Sequence, residues 1–162
     1  DKNKLFYCVG RNVYVYAFAT STSTTLTNVF TTSTGTVGFT EFLYDDGSVK
    51  MVASDGTATT GIVTIDDSNV VVTSADADIP AHDPNIVFLD GYLFLVKDSS
   101  SLIYNSVLND PLSTTGTPGT GDSIIAPEQE PDQVTRLAKI NNYLIAFTDL
   151  FTRWWPSMAS IF

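Results

Sequence analysis

The stretch IVFLDGYLFLV at residues 86–96 places two apolar runs on either side of an Asp-Gly pair. Asp-Gly tolerates the positive φ angles of a tight hairpin turn, and the two runs are too short for helices. A similar arrangement surrounds Asn141-Asn142, and further turn pairs stand at 46–47 and 55–56. We find no convincing amphipathic helix, so the sequence predicts an all-β protein of short antiparallel strands.

These hairpins recur along the chain. The segment 47–55 (GSVKMVASD) aligns with 91–98 (GYLFLVKD) and with 142–149 (NYLIAFTD), at offsets of 44 and 51 residues. Repeats of this length with three or four strands each are typical of β-propeller blades. We therefore expect one domain, 1–162, that forms part of a longer β-propeller, with a β-sandwich as the alternative. The expected blades span 4–31, 36–74, 85–108 and 135–156, and a long polar loop spans 109–134.

The chain is acidic, and its charged residues are unevenly distributed. Eight Lys and Arg residues oppose 18 Asp and Glu residues, which gives a net charge of −10 in 162 residues. Residues 41–132 contain 16 of the acids and only Lys50 and Lys97 as bases, a net charge of −14. A protein that grips nucleic acid needs clustered Lys and Arg, so this function class is disfavoured. No apolar run is long enough to span a membrane, and the missing initiator Met indicates a piece of a longer chain.

No catalytic residue, cofactor or metal site is expected from the sequence. His82, the single histidine, lies between Pro80 and Pro84 and is expected in a turn, and no Gly-x-Ser-x-Gly nucleophile motif is present. The glycine-rich segment 116–121 lacks the Lys of a phosphate-binding loop. Paired aspartates are the oxygen ligands that Ca²⁺ prefers, but none continues into a calcium-binding motif, so they are interpreted as solvated turns. The protein is therefore predicted not to be an enzyme.

Two predictions concern burial near the N-terminus. Aliphatic and aromatic residues alternate in VYVYAFA at 13–19, so both faces of that strand are expected to be buried. Cys8, in the preceding apolar run, is expected to be a buried structural thiol.

Acidic turns and one aromatic pair are the candidate interaction residues. Long polar loops between strands often carry function, and Trp is enriched at the centres of interfaces. The candidate interface residues are Asp45, Asp46, Asp66, Asp67, Glu128, Glu130, Asp132, Trp154 and Trp155.

Four segments together resemble a known family. IVFLDGY at 86–92, followed by IYNS at 103–106 and NDP at 109–111, resembles a "FLDGY … FYxSxLxDP" run. The second segment, APEQEPD at 126–132, resembles "AExxPD". The third, the pair LIAF and TRWW at 144–155, resembles "LWLFG … TEVW". The fourth, LFYCVGRNVY at 5–14, is similar to "LYAVVGNxLY". These elements occur in the packaged-DNA stabilisation proteins of short-tailed phages, also called head-completion or tail-hub proteins. Arg153 stands where that family tends to have Glu.

The resemblance implies a structural virion protein at the portal vertex of a phage tail, assembled in the host cytoplasm. It implies a β-propeller subunit, of which six copies form a ring below the portal and its adaptor. Tail needle, nozzle, fibre or spike proteins would follow below the ring. The subunit would close the portal channel and retain packaged double-stranded DNA, which it would touch only non-specifically. The alternative function is a carbohydrate-binding or adhesin module, which the Thr-rich segment 20–40 favours.

Overall fold

The computed structural model describes residues 3–114, 124–125, 133–148 and 160–161, and these form antiparallel β-sheets without a helix. Apart from β12, the strands of each sheet follow chain order in an open meander. Sheet 1 contains β1 (Lys4–Val9), β2 (Asn12–Ala17) and β3 (Thr22–Leu26), and sheet 2 contains β4 (Gly38–Leu43), β5 (Val49–Ser54), β6 (Ile62–Ile65) and β7 (Val71–Thr73). Sheet 3 contains β8 (Val87–Leu89), β9 (Tyr92–Val96), β10 (Ile103–Val107) and β11 (Asp110–Thr114), with β12 (Ile124–Ile125) paired to β10. Sheet 4 contains β13 (Val134–Ile140), β14 (Tyr143–Thr148) and β15 (Ser160–Ile161). The all-β prediction is confirmed for the described residues.

The hairpin that joins β8 to β9 turns at the Asp-Gly pair. Asp90 has a φ of 50° and Gly91 a φ of 84°, so both central residues of the turn are left-handed. Leu89 then pairs with Tyr92, and Val87 pairs with Phe94. A turn of this type matches the right-handed twist of the two strands, which explains why the local sequence signal was reliable here.

The sheets pack face to face in chain order and bury three successive cores. Because successive side chains of a strand point to opposite faces, Val52 lies on one face of sheet 2 and Ala53 on the other. Leu95 and Val96 likewise lie on opposite faces of sheet 3. Sheets 2 and 3 are therefore covered on both faces. The core between sheets 1 and 2 contains Val13, Val15, Val29, Phe30, Ala53, Val63 and Ile65; the next contains Phe42, Val52, Ile62, Ile79, Ile86, Leu93, Leu95 and Tyr104; and the third contains Val87, Leu89, Val96, Ile103, Val134, Leu137, Leu144 and Ala146.

The first strands of sheets 2, 3 and 4 run in the same direction, and that of sheet 1 runs in the opposite direction. In sheet 4, Leu137 bonds to Asn85 before β8, and Lys139 lies over Phe88 further along β8. Gly38 at the start of β4 lies against Pro84, just before β8, and Phe42 at its other end packs on Phe88, with ring centroids 4.8 Å apart. In sheet 1, by contrast, Lys4 at the start of β1 reaches Asp67, in the turn after β6. The sheet within residues 4–31 is thus inverted relative to the other three.

A connecting segment, residues 79–86, joins sheet 2 to sheet 3 and contacts both. The backbone N–H of His82 donates to the Gly56 carbonyl at 2.9 Å, and that of Asp83 donates to the Val96 carbonyl at 2.9 Å. The side-chain oxygen of Asn85 accepts a hydrogen bond from the backbone N–H of Leu137 in β13 at 2.8 Å. One extended segment therefore links three of the four sheets through hydrogen bonds, which buried backbone groups require.

Three sequence predictions need correction. The polar loop expected at 109–134 begins with a strand, β11, because the Asp76 carboxylate accepts hydrogen bonds from the backbone N–H and the hydroxyl of Thr114. Sheet 3 consequently extends beyond the predicted limit at 108. The outer face of β2 is only half-buried, because no described strand covers that side of sheet 1. Cys8 is also partly exposed, and burial raises the pKa of its thiol, with a smaller contribution from the charge of Asp55.

Substitution of Gly38 tests whether β4 must lie in close contact with the connecting segment. A Cβ at this position would overlap the carbonyl oxygen of Pro84, which is backbone and cannot move aside cheaply. We expect Gly38→Ala to lower the free energy of unfolding by about 3 kcal/mol, the cost of overpacking a rigid site. Urea-induced unfolding measures the loss.

The matched control is Gly47→Ala in the turn between β4 and β5. Gly47 has a φ of 80° and open space around it. An alanine at this position is therefore strained in its backbone but meets no neighbouring atom. We expect a loss of about 1 kcal/mol for the control. Equal losses at the two positions would contradict the close approach.

Candidate functional site

A wide groove in the described part of the chain lies between the first strands of three sheets. It encloses about 770 Å³ and borders the free edges of β4, β8 and β13. The Nζ of Lys139 lies 5.3 Å from the ring centroid of Phe88, a cation–π distance, and Glu41 supplies the opposite charge on the β4 side. The groove is lined by Thr40, Glu41, Leu43, Val49, Asn85, Ile86, Val87, Phe88, Leu137, Ala138 and Lys139.

Asn85 occupies part of the β13 edge in this groove. Its side-chain oxygen accepts the Leu137 N–H, which would otherwise be available to an added strand. Exposed strand edges attract further strands, and a side chain bonded to the edge prevents this. The groove thus combines an aromatic ring, two opposite charges and a blocked strand edge, which suits a surface contact better than strand addition.

The acidic turns predicted from sequence meet on the opposite side of β4. A smaller cavity of about 230 Å³ lies between sheets 1 and 2, and Ser48, Asp66 and Asp67 line it together with Lys4. The Lys4 ammonium donates to the Asp67 carbonyl at 2.6 Å and to the Asn69 side-chain oxygen at 3.3 Å. Lys4 therefore bonds to the 66–70 turn, and the 44–48 turn lines the same cavity. Asp45 and Asp46 are exposed on the 44–48 turn.

The carboxylates of Asp46 and Asp66 bond within their own turns. Asp46 accepts the Ser48 backbone N–H at 2.8 Å, and hydrogen bonds from Ser48 lower the pKa of Asp46 below its usual value. Asp66 accepts the backbone N–H groups of Ser68 at 2.9 Å and Val70 at 2.8 Å. These two acids shape their turns, as Asp commonly does. Asp45 and Asp67 are exposed as well, and no hydrogen bond to their carboxylates is recorded within these turns.

The remaining candidate interface residues are Glu128, Glu130, Asp132, Trp154 and Trp155, and all five lie outside the described residues.

Ser54 and His82 form a hydrogen-bonded pair that the sequence analysis missed. The Ser54 Oγ lies 2.7 Å from His82 Nε2, and His82 Nδ1 lies 2.8 Å from the Pro80 carbonyl. Because the carbonyl can only accept, Nδ1 carries the proton and the serine hydroxyl donates to Nε2. The residues are 28 positions apart, and no sequence motif marks this spacing.

The same arrangement occurs in serine nucleophiles, but here the pair is sealed. Ser54 is 0% exposed and His82 is 3% exposed, so no substrate can reach the hydroxyl oxygen. A nucleophile must contact the atom that it attacks. The Ser54–His82 hydrogen bond instead holds the end of β5 against the connecting segment. His82 also pairs with Lys97 in extended conformation, so the turn predicted for this residue is wrong.

Metal ligands do not gather anywhere in the described ranges: no three His, Cys, Asp or Glu side chains lie close enough to hold an ion. Within those ranges no helix is long and apolar enough to cross a membrane. In comparisons with known proteins, no protein-family model and no curated protein matches this sequence.

The buried His82 predicts a pH dependence of stability. Burial lowers the pKa of His82 below 6.5, despite the opposing effects of the Pro80 carbonyl, Asp55 and Asp83. As pH falls below about 6.5, the unfolded chain binds a proton that the folded chain does not. The free energy of unfolding should therefore decrease from pH 7.5 to pH 5.5, with a slope of at most about 1.4 kcal/mol per pH unit from this group.

His82→Gln isolates the effect, because His82 is the single histidine of the chain. The variant should be less stable at pH 7.5 and should lose most of the slope between pH 7.5 and 5.5. Urea unfolding at several pH values measures both quantities. A slope that is unchanged in the variant would assign the pH dependence to carboxylates instead.

Proposed function

We propose that this chain is a structural subunit of the head-to-tail connector, or tail hub, of a short-tailed phage. In this proposal sheets 2, 3 and 4 are consecutive blades of a β-propeller. Their parallel first strands around one groove, and their packing in chain order, support it. Residues 4–31 form the blade that departs from the repeat, because their sheet is inverted. The sequence resemblance described above supports the same assignment.

The observation that carries an assembly role is the apolar outer face of sheet 1, which no described strand covers. Leu5 is 50% exposed, Tyr7 42% and Val9 61%, and all three lie on the same face of β1. Tyr7 stacks on Tyr14 of β2, with ring centroids 5.0 Å apart and the rings 8° from parallel. Contiguous apolar surface of this kind marks interaction sites in soluble proteins. In the proposed ring, this face packs on a neighbouring subunit or on the adaptor.

The charge distribution supports a position along the DNA channel. Acidic turns repel phosphate groups, so a wall that carries Asp45 and Asp67 lets the duplex slide past during ejection. Closure of the channel then depends on contacts between proteins and not on a grip on DNA. The proposed protein is non-enzymatic, requires no cofactor, and binds itself, the portal and adaptor above, and the tail components below.

The alternative function is a carbohydrate-binding or adhesin module. It is favoured by the exposed Tyr7, which stacks on the half-buried Tyr14, because flat aromatic faces can stack on sugar rings. This alternative predicts a saccharide ligand and no obligatory ring.

Replacement of the exposed apolar residues tests the assembly role. We expect Tyr7→Ser with Val9→Ser to weaken assembly by about 2 kcal/mol, since about half of each side chain is left to be buried. That corresponds to roughly thirtyfold weaker binding. Mass photometry and negative-stain microscopy of the chain, with and without the portal or adaptor ring, measure assembly.

The control is Val70→Ser with Val72→Ser, two equally exposed apolar residues on the edge of sheet 2. This control should assemble normally, and both variants should keep the β-type circular dichroism. A wild-type chain that forms no sixfold ring and ignores the portal and adaptor would overturn the proposal. Binding to a glycan array, lost with Tyr7→Ser, would then support the alternative.

A further inference from the structure

The outer edge of sheet 1 differs from the other strand edges of the described residues. β3 (Thr22–Leu26) pairs with β2 on one side, and its residues 22–25 are exposed. Sheets 2 and 3 each have a fourth strand, β7 or β11, at the equivalent position. The backbone N–H and C=O groups on the outer side of β3 therefore have no strand partner among the described residues.

Natural proteins protect such edges with charges, prolines, bulges or very short strands. The other described edges follow this rule: β1 contains Lys4, β4 contains Glu41, β13 contains Arg136 and Lys139, β11 begins with Asp110-Pro111, and β7, β8, β12 and β15 have three residues or fewer. β3 has none of these devices. It reads Thr-Ser-Thr-Thr-Leu, and Thr has a high preference for strands.

We propose that the β3 edge pairs with β3 of a second copy of this chain, antiparallel and about a two-fold axis beside Thr24. The two sheets then form one continuous six-stranded sheet, in the order β1-β2-β3-β3-β2-β1. Thr24 faces its own equivalent, Ser23 faces Thr25, and Thr22 faces Leu26. Thr–Thr and Ser–Thr pairs across strands are favourable, and the pairing opposes no like charges.

Electrostatics favour a second copy as the occupant. The whole chain carries a net charge of −10, so two copies repel each other over most of their surface. Residues 3–40 contain Lys4 and Arg11 and no acid, and β3 is uncharged. The β3 edge is therefore where two acidic copies can meet without a repulsive contact. This two-fold contact differs from the cyclic contact of a ring, so the inference does not depend on the proposed function.

Sedimentation velocity of the full chain tests the proposal. We expect a concentration-dependent dimer between about 1 and 100 µM, the range of weak to moderate self-association. Ser23→Lys with Thr25→Lys places lysines opposite lysines across the axis and should weaken the dimer at least tenfold. Val70→Lys with Val72→Lys adds the same charge to the edge of sheet 2 and should leave the dimer unchanged.

Charge reversal distinguishes a direct contact from an indirect effect. A variant with Ser23→Glu and Thr25→Glu should be monomeric alone, and it should form a heterodimer when mixed with the double-lysine variant. Hydrogen exchange of the wild type gives a second measurement that needs no variant: the outward amides of β3 should exchange more slowly as dimer forms. A chain that stays monomeric at all concentrations, a dimer that survives the double-lysine variant, or fast β3 exchange in the dimer would overturn the proposal.

Discussion

The close approach of residues 79–86 to the sheets on either side is the constraint on which the rest of the structure depends. The segment runs against Gly38 and Gly56, where side chains would overlap its backbone, and it donates hydrogen bonds into sheets 2 and 3. Ile79 and Ile86 at its two ends enter the core between those sheets. The buried Ser54–His82 pair then fixes the segment laterally. Because Asn85 also bonds to β13, displacement of this segment would loosen three sheets together.

Aspartates serve two roles that composition alone does not separate. Asp46, Asp66 and Asp76 accept backbone N–H groups and hold turns or neighbouring strands in place. Asp45 and Asp67 extend towards solvent and contribute to the negative surface. In a strongly acidic chain, the same residue type can therefore stabilise the loops and produce the negative electrostatic potential around the protein.

The sequence predicted the features that depend on neighbours along the chain. The Asp90-Gly91 turn, the short strands around it and the absence of helices in the described residues follow from local preference and alternation. The acidic turns were also recognised, but the cavity that they share with Lys4 requires the packing of sheet 1 on sheet 2. The Ser54–His82 pair, the inversion of β1 and the strand β11 could not be foreseen. Each depends on contacts across many residues, such as Asp76 with Thr114, for which no local pattern exists.

Sheet 1 shares one core with the rest of the molecule, whereas sheets 2 and 3 each share two. Its cohesion with sheet 2 rests on that single apolar layer and on the Lys4 contacts to the turn after β6. Local stability follows the number of buried contacts that a unit must break to open. Under a pulling force applied at the N-terminus, sheet 1 is therefore the first unit to detach. The apolar layer on sheet 2 would then be exposed while the cores further along the chain remain closed.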